Sequence, residues 1–205
     1  MEEKIIIAGS GGQGVLTLGL FLCNVAILDN KNVTWLPSYG AEKRGGFSFC
    51  NVVISDDEIF SPVVDTPTIL IVFDTRAYET YKDKITKDCI LIENSSLIKS
   101  DCDKVKKISV PASDIAKNLN FIKGVNMVIA GVYSEVNNLF QKEKYFKVME
   151  QMLKGKKNEI VEKNYQAFNQ GVKFVKEKSF FENKNQGIKS VKENIDRWRK
   201  SDRQE

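Results

Sequence analysis

The chain has 205 residues, of which 42% are hydrophobic and 28% charged, and its formal net charge is +4. This length and composition suffice for one folded domain with its own core, and the modest charge favours neither nucleic acid nor a membrane surface as a partner. The sequence contains no histidine, which excludes serine–histidine triads and histidine-ligated zinc. No apolar run approaches the roughly 18 residues that span a bilayer, and the first residues lack the pattern of a signal peptide. We therefore expect a cytoplasmic protein.

The chain begins with a pattern typical of a strand, a glycine-rich turn and a helix. Residues 5–8, three isoleucines and an alanine, have the length and branching of a buried strand. The apolar periodicity of 15–29 predicts a helix. Between them, Gly9, Gly11 and Gly14 match the G-x-G-x-x-G spacing of dinucleotide-binding loops. Such a loop presents backbone N–H groups at a helix N-terminus, where they favour an anion.

The second predicted strand weakens the dinucleotide interpretation. Residues 33–36 predict a short strand that Pro37 ends. A dinucleotide-binding fold usually carries an Asp or Glu at the end of this strand to bind the ribose hydroxyls. Here the nearest acid, Asp29, lies before the strand. The loop therefore fits NAD(P), another anionic ligand or a simple tight turn.

A second glycine-rich segment, 38–48, connects this strand to the next. The pair Gly45 and Gly46 permits close approach of the backbone. Arg44 has the fork geometry that binds a carboxylate or a phosphate, and Glu42 is placed to hold the guanidinium. The alternative is a solvated loop whose charges face water.

The rest of the chain predicts an α/β fold. The further predicted strands are 47–54, 68–74, 89–93 and 106–110, and the further predicted helices are 75–82, one from Ser113, 126–140, 144–154 and 159–176. A turn at 55–58 indicates a hairpin that returns through Ile59 and Phe60, so the sheet is not purely parallel. Asp74 is expected to cap the helix after it or to contact a ligand at the sheet edge. We expect a three-layer α/β/α fold with a mixed, mostly parallel sheet, a hairpin and a Rossmann-like start.

The late helices carry apolar stripes. The residues expected on their inner faces are Ile160, Tyr165, Phe168, Val172 and Val175, and the small residues Ala130 and Gly131 predict close packing of 126–140. We expect one domain at 1–181, followed by an amphipathic helical extension at 182–205. The stripe of the extension, which packs on the domain or docks a partner, consists of Ile188, Val191, Ile195 and Trp198.

The cysteines predict core positions rather than a redox cluster. They are Cys23, Cys50, Cys89 and Cys102. They form no C-x-x-C pair and no tight group, whereas an iron–sulfur cluster normally takes four thiolates, often closely spaced. We expect small core or near-core residues in a reducing compartment.

Two glycine segments occur in a specific order and spacing. They are Gly9-Ser10-Gly11-Gly12-Gln13-Gly14 and Ser38-Tyr39-Gly40-Ala41-Glu42-Lys43-Arg44-Gly45-Gly46, with support from 67–71, 110–112 and Asn126-Met127. On these residues, over roughly 4–175, the chain resembles the gamma subunit of 2-oxoacid:ferredoxin oxidoreductases. Lys43 departs from the family pattern, in which a small or neutral residue is commoner.

The resemblance implies a multi-subunit enzyme in which this chain is inactive alone. In such complexes thiamine diphosphate adds to the 2-oxo carbon, CO2 leaves, electrons pass through [4Fe–4S] clusters to ferredoxin, and coenzyme A takes the acyl group. This chain has no Gly-Asp-Gly motif of the thiamine-binding type and no cluster cysteines. Thiamine diphosphate, Mg²⁺ and the clusters are therefore expected on alpha, beta and ferredoxin-like subunits.

We expect the binding site of this chain at the two glycine segments, which should emerge at the same sheet edge. The N–H groups of 11–14, with Arg44 nearby, would bind an anion such as a phosphate of coenzyme A. The candidate binding residues are Gly9, Gly11, Gly12, Gln13, Gly14, Tyr39, Glu42, Arg44, Gly45 and Gly46; no catalytic or metal-ligating residue is predicted. The alternative is that both segments are tight turns buried against the alpha or beta subunit. An independent NAD(P)-dependent oxidoreductase and a stand-alone anion- or nucleotide-binding module are the alternative functions.

Overall fold

A computed structural model describes residues 1–40, 45–103 and 105–178. The predicted extension at 182–205 and the candidate residues Glu42 and Arg44 lie outside the described residues. The described strands are β1 (Glu2–Ser10), β2 (Asn32–Tyr39), β3 (Phe47–Ser55), β4 (Ile69–Val72), β5 (Ile90–Asn94) and β6 (Lys106–Val110). They form one sheet in the order β2-β3-β1-β4-β5-β6.

The sheet is mixed and mostly parallel, as predicted. Strands β1, β4, β5 and β6 run parallel to one another, and β3 runs antiparallel to both of its neighbours, β1 and β2. The predicted pairing of β3 with Ile59 and Phe60 is wrong, because both edges of β3 already bond to β1 and β2. Residues 56–68 contain no strand. The hairpin is formed by β2 and β3, which the second glycine segment connects.

The predicted end of the second strand at Pro37 is also wrong. Strand β2 continues through Pro37 to Tyr39, and Pro37 lies opposite Cys50 of β3. A proline is compatible with this position because β2 is an edge strand of the sheet, where one side of the backbone needs no hydrogen-bonding partner.

Helices cover both faces of the sheet. They are α1 (Val15–Ile27), α2 (Thr75–Tyr81), α3 (Ala112–Asn118), α4 (Val125–Asn137), α5 (Lys142–Met152) and α6 (158–178). Within the described residues, no helix is both long enough and apolar enough to cross a membrane.

Alternating residues of β1 face two separate cores, as the two-residue period of a strand requires. Ile5 and Ile7 belong to the larger core with α1, α3, α4, α5 and α6. Ile6 and Ala8 belong to the smaller core, which α2 covers with Ala77, Tyr78 and Tyr81. The predicted three-layer α/β/α architecture is confirmed.

The inner face of α6 is largely as predicted. Phe168 and Val172 are buried in the larger core, and Tyr165 and Val175 pack against it while half-buried. Ile160 is the exception, since it lies in the first turn of α6 and is 37% exposed. The periodicity identified the apolar stripe, but it could not show how far the core extends along α6. Ile160 lies outside that core.

Candidate functional site

The two glycine segments meet at one edge of the sheet. Strands β1 and β2 are not neighbours in the sheet; they lie on either side of β3. Because each is antiparallel to β3, they run in the same direction and their carboxyl ends lie at the same edge. The N–H of Gly11 donates to the carbonyl oxygen of Gly46 at 2.7 Å. This bond joins loops that are 35 residues apart in the chain.

A cleft of about 710 Å³ lies between the two loops and the first turn of α1. Six of the predicted site residues line it, namely Gly11, Gly12, Gly14, Tyr39, Gly45 and Gly46. Tyr39 is 75% exposed at the end of β2. The cleft has the size of a small-molecule site, for which about 300–1,000 Å³ is usual.

Gly9 and Gln13 shape the turn behind this cleft. Oε1 of Gln13 accepts a hydrogen bond from the N–H of Ser10 at 2.7 Å. A Cβ on Gly9 would lie 2.5 Å from that oxygen and 2.7 Å from Cβ of Phe73, so no side chain fits there. Both residues hold the loop conformation, and neither is among the described residues that line the cleft.

The amide groups that can reach a ligand differ from the expected set. The N–H of Gly11 is bonded to Gly46, and the N–H of Gln13 donates to the carbonyl oxygen of Ser10 at 3.2 Å. The first i→i−4 bond of α1 runs from Leu18 to Gly14, so the N–H groups of 15–17 precede it and have no acceptor within the helix. The N–H groups that remain available to a ligand in the cleft are therefore those of Gly12, Gly14 and the first turn of α1.

The N-terminus of α1 is suited to an anion. Its N-cap is Gly14, which has no side chain to cap the amides, and its first turn contains no acidic residue. An anion in the cleft would satisfy these amides and meet the positive end of the helix dipole. Thr17 adds a hydroxyl group from this turn to the cleft lining.

Asn126 of α4 supports the glycine loop from behind. Gly14 has φ +83°, and a Cβ there would lie 2.6 Å from Nδ2 of Asn126. The same Nδ2 donates a long hydrogen bond of 3.5 Å to the carbonyl oxygen of Gly14. Asn126 is not among the predicted site residues. The one sequence feature that could have indicated its role is a polar residue within an otherwise apolar helix.

Asp74 has a structural role at the end of β4. Its Oδ1 accepts from the N–H of Ala77 at 3.0 Å, which confirms the predicted cap of α2. Its Oδ2 accepts from the hydroxyl of Ser10 at 2.7 Å. Since both carboxylate oxygens are bonded within the protein, the alternative role in ligand contact is not supported.

A cation lies next to the cleft in a position that the sequence did not indicate. The guanidinium carbon of Arg76 is 5.2 Å from the ring centroid of Phe47, and Phe47 lines the cleft. Arg76 is exposed at the start of α2. It lies beside Phe47 because β4, which precedes α2, pairs with β1, and β1 in turn pairs with β3. No local sequence pattern shows this arrangement.

The strand order also argues against a dinucleotide site. In a dinucleotide-binding fold the second strand lies beside the first and directs its acidic residue toward the ribose. Here the neighbours of β1 are β3 and β4, and β2 lies at the sheet edge. The missing acidic residue and the strand order therefore both argue against a dinucleotide site.

The cysteines occupy the core and near-core positions that were predicted. Cys23, Cys50 and Cys89 are buried and Cys102 is half-buried, all with free thiols. Burial raises the pKa of Cys23 and of Cys50 to about 12, so both thiols stay protonated at neutral pH. Among the described residues, no three His, Cys, Asp or Glu side chains come together as a metal site would require.

The fold and cleft define a three-layer α/β domain with a glycine-lined site at the carboxyl edge of its sheet. Residues 4–174 match the family model described as pyruvate ferredoxin/flavodoxin oxidoreductase. The chain therefore belongs to this family.

The chain also has relatives among oxidoreductase subunits. The chain is 31% identical over 176 residues to the ketoisovalerate oxidoreductase subunit VorA of Methanothermobacter thermautotrophicus. The matched region makes up 86% of this chain and 37% of that protein. The chain thus spans little more than a third of this relative.

Two solved structures share the fold. The 2-oxoglutarate:ferredoxin oxidoreductase of Magnetococcus marinus, with 2-oxoglutarate, coenzyme A and succinyl-CoA bound, aligns with a TM-score of 0.79 and 25% identity, over 85% of this chain and 31% of that one. The gamma subunit of the keto/oxoacid ferredoxin oxidoreductase of Geobacter sulfurreducens aligns with a TM-score of 0.70 and 26% identity, over 84% of this chain and 97% of that subunit. The predicted resemblance to a gamma subunit is confirmed.

Proposed function

We propose that this gamma-type chain works in a complex that oxidatively decarboxylates a 2-oxoacid to an acyl-CoA and passes the electrons to ferredoxin. The observation that carries the proposal is the family match over 4–174, together with the near-complete span of a separate gamma subunit. The names of the relatives include both ketoisovalerate and 2-oxoglutarate. The substrate is therefore proposed as a class, the 2-oxoacids.

The redox chemistry is proposed to lie on partner subunits. The residues of this chain do not fit an iron–sulfur cluster, because its buried cysteines are divided between the two cores, with Cys23 and Cys50 in the larger core and Cys89 in the smaller one. The sequence also lacks the Gly-Asp-Gly motif typical of thiamine diphosphate sites. We place thiamine diphosphate, Mg²⁺ and the clusters on alpha, beta and ferredoxin-like subunits. The free thiols support a reducing, cytoplasmic location.

The cleft is proposed as the place where this chain contacts coenzyme A. A phosphate group would accept hydrogen bonds from the N–H groups of Gly12 and Gly14 and from the first turn of α1. Thr17 would add a hydroxyl donor, and Arg76 lies over the ring of Phe47, which lines the cleft. Arg44 belongs to the second glycine segment, whose Gly45 and Gly46 line the cleft. The chain would then bind and orient the acyl acceptor while its partners carry out the oxidation.

Calorimetry of coenzyme A binding to the assembled complex tests this site. Removing one charge-assisted hydrogen bond costs about 1.5–3 kcal/mol, so Arg44→Gln should weaken binding by roughly 10- to 100-fold. Thr17→Val keeps the shape and should weaken it by a smaller factor. Lys157→Gln is the control, since this exposed lysine does not line the cleft. Unchanged affinity in both cleft variants would overturn the coenzyme A assignment.

A reconstitution experiment tests the subunit role independently of the cleft. The proposed alpha, beta and ferredoxin-like subunits are assembled with and without this chain, and ferredoxin reduction is measured with a 2-oxoacid and coenzyme A. Full activity without this chain would contradict the subunit role. Saturable NADH binding to the isolated chain, followed by nicotinamide fluorescence, would instead favour the dinucleotide function.

A further inference from the structure

A second cavity, of about 370 Å³, lies beside the glycine cleft. It shares Gly12, Gly14 and Thr17 with the cleft, and its other walls come from α4, α5, α6 and the short 3-10 turn Ile122–Gly124. No local sequence pattern indicates this cavity, because its walls come from segments spread over about 150 residues.

The cavity walls are mainly apolar and adaptable. The apolar side chains that line it are Phe21, Phe121, Met127, Met149, Met152 and Leu153. Methionine side chains are flexible and polarisable, and they adjust to ligands of different shape. This composition suits the apolar body of a small molecule.

Two lysines give the lining of this cavity a positive charge. Lys123 and Lys156 line it and are exposed, and neither side chain has an ion pair among the described residues. No acidic residue is among the described lining residues. Helix α4 begins here at Val125; its N-cap is Gly124, it has no side-chain cap, and its first turn contains no acidic residue. The charge of the lining is therefore complementary to an anion.

We propose that this cavity binds a small amphipathic organic anion. Its apolar body would lie among the three methionines, and its headgroup would face Lys123 and Lys156. At ~30 Å³ for each water molecule, the volume corresponds to about twelve waters, which suits a carboxylate with roughly eight carbon atoms. This site goes beyond the proposed function, because its occupancy requires neither coenzyme A nor partner subunits.

Methyl NMR of the full chain, labelled at the methionine methyl groups, tests the proposal with octanoate as the probe. The sequence has four methionines, of which Met127, Met149 and Met152 line the cavity. Met1 is an internal control, because its amino group bonds to Asp56 at the far end of β1. Octanoate should shift the three cavity resonances saturably and leave that of Met1 unchanged. Octylammonium, with the same apolar body and opposite charge, should bind at least tenfold more weakly.

Charge variants test the role of the lysines. Exposed ion pairs are individually weak, so the double variant Lys123→Gln/Lys156→Gln should weaken octanoate binding by roughly tenfold. Lys154→Gln is the matched control, because Lys154 is equally exposed and does not line the cavity. All three substitutions are at the surface, so folding is preserved. The proposal is overturned if octanoate gives no saturable shift at millimolar concentration, if octylammonium binds as well, or if the double variant binds like the control.

Discussion

Gly131 of α4 and Gly171 of α6 each face the backbone of the other helix. A Cβ on Gly131 would overlap the carbonyl oxygen of Phe168, and a Cβ on Gly171 would overlap that of Val128. The two helices therefore pack backbone against backbone. This contact fixes α4, whose first turn carries Asn126 behind the glycine loop.

Replacing either glycine with alanine should destabilise the protein. At an exposed helical position alanine is more favourable than glycine by about 1 kcal/mol. At this crossing the added methyl group must separate the helices, and overpacking of this kind costs about 1–3 kcal/mol or more. We expect Gly131→Ala and Gly171→Ala to lower the free energy of unfolding, measured with urea. Gln170→Ala, at an exposed neighbouring position, should change it by less than about 0.5 kcal/mol. If Gly171→Ala were as stable as wild type, the inferred backbone-to-backbone packing of α4 and α6 would be contradicted.

The local elements of this fold were predictable, but one pairing was not. Strand β6 begins and ends at the predicted residues and is followed by Pro111, and the small residue Gly131 was predicted to allow close packing. The pairing of β3 was wrong because a local turn signal at 55–58 cannot show that β1 and β2 already occupy both edges of β3. Partner choice in a sheet is decided by the tertiary structure.

Glu3 should make the stability depend on pH. The carboxylate is buried, with 6% of the residue exposed, and it accepts hydrogen bonds of 2.6 Å from the Tyr133 hydroxyl and from Nδ2 of Asn137. Loss of water around the carboxylate raises its pKa above the ordinary 4.5, and the two hydrogen bonds oppose this rise only in part. The folded state thus holds the proton more tightly than the unfolded state.

The sign of the effect follows from linkage. The stability that Glu3 contributes is fully present below pH 4.5 and is lost as the pH rises through the raised pKa. We expect Glu3→Gln to abolish this dependence, so the free energy of unfolding of wild type should fall relative to the variant above pH 4.5. Asp56 is the control, because Lys31 and the N-terminus lower its pKa to about 2. The stability that Asp56 contributes is therefore lost only in more acid solution. A constant difference between wild type and Glu3→Gln would rule out the raised pKa.

The cysteines should differ in reactivity in the native protein. Cys23, Cys50 and Cys89 are buried, and burial raises their pKa values to about 12, 12 and 11, so they present neither a thiolate nor an accessible sulfur. Cys102 is half-buried and should react first with a maleimide at pH 8. Mass spectrometry should show one fast label, absent from Cys102→Ser, and three more after unfolding. Two or more fast labels in the native protein would contradict the buried positions.

The candidate site was predictable in its glycines but not in its donors. The spacing of Gly9, Gly11 and Gly14 identified the loop, yet the amide of Gly11 serves the second segment rather than a ligand. Asn126 and Arg76 come from helices far along the chain, and only strand order and helix packing bring them near the loop. Local sequence patterns indicate where a backbone can turn, whereas the contacts of each amide depend on the folded neighbours.

The hydrogen bond between Ser10 and Asp74 should couple the glycine loop to α2. Asp74→Ala removes the cap of α2 and the acceptor for the Ser10 hydroxyl, and a lost cap alone costs about 0.5–2 kcal/mol. Asp74→Asn keeps an oxygen that can accept from Ala77, so it should cost less. Ser10→Ala removes only the bond between the two side chains.

A double-mutant cycle of Ser10→Ala and Asp74→Ala measures this coupling by urea unfolding. Residues in direct contact usually show interaction energies of about 0.5–3 kcal/mol, and we expect a value in this range. Ser96→Ala paired with Asp74→Ala is the control cycle, because the Ser96 hydroxyl bonds to Asp114 instead, and it should be additive. Additivity of the Ser10 cycle would mean that the loop and α2 are energetically independent, even though the two side chains lie 2.7 Å apart.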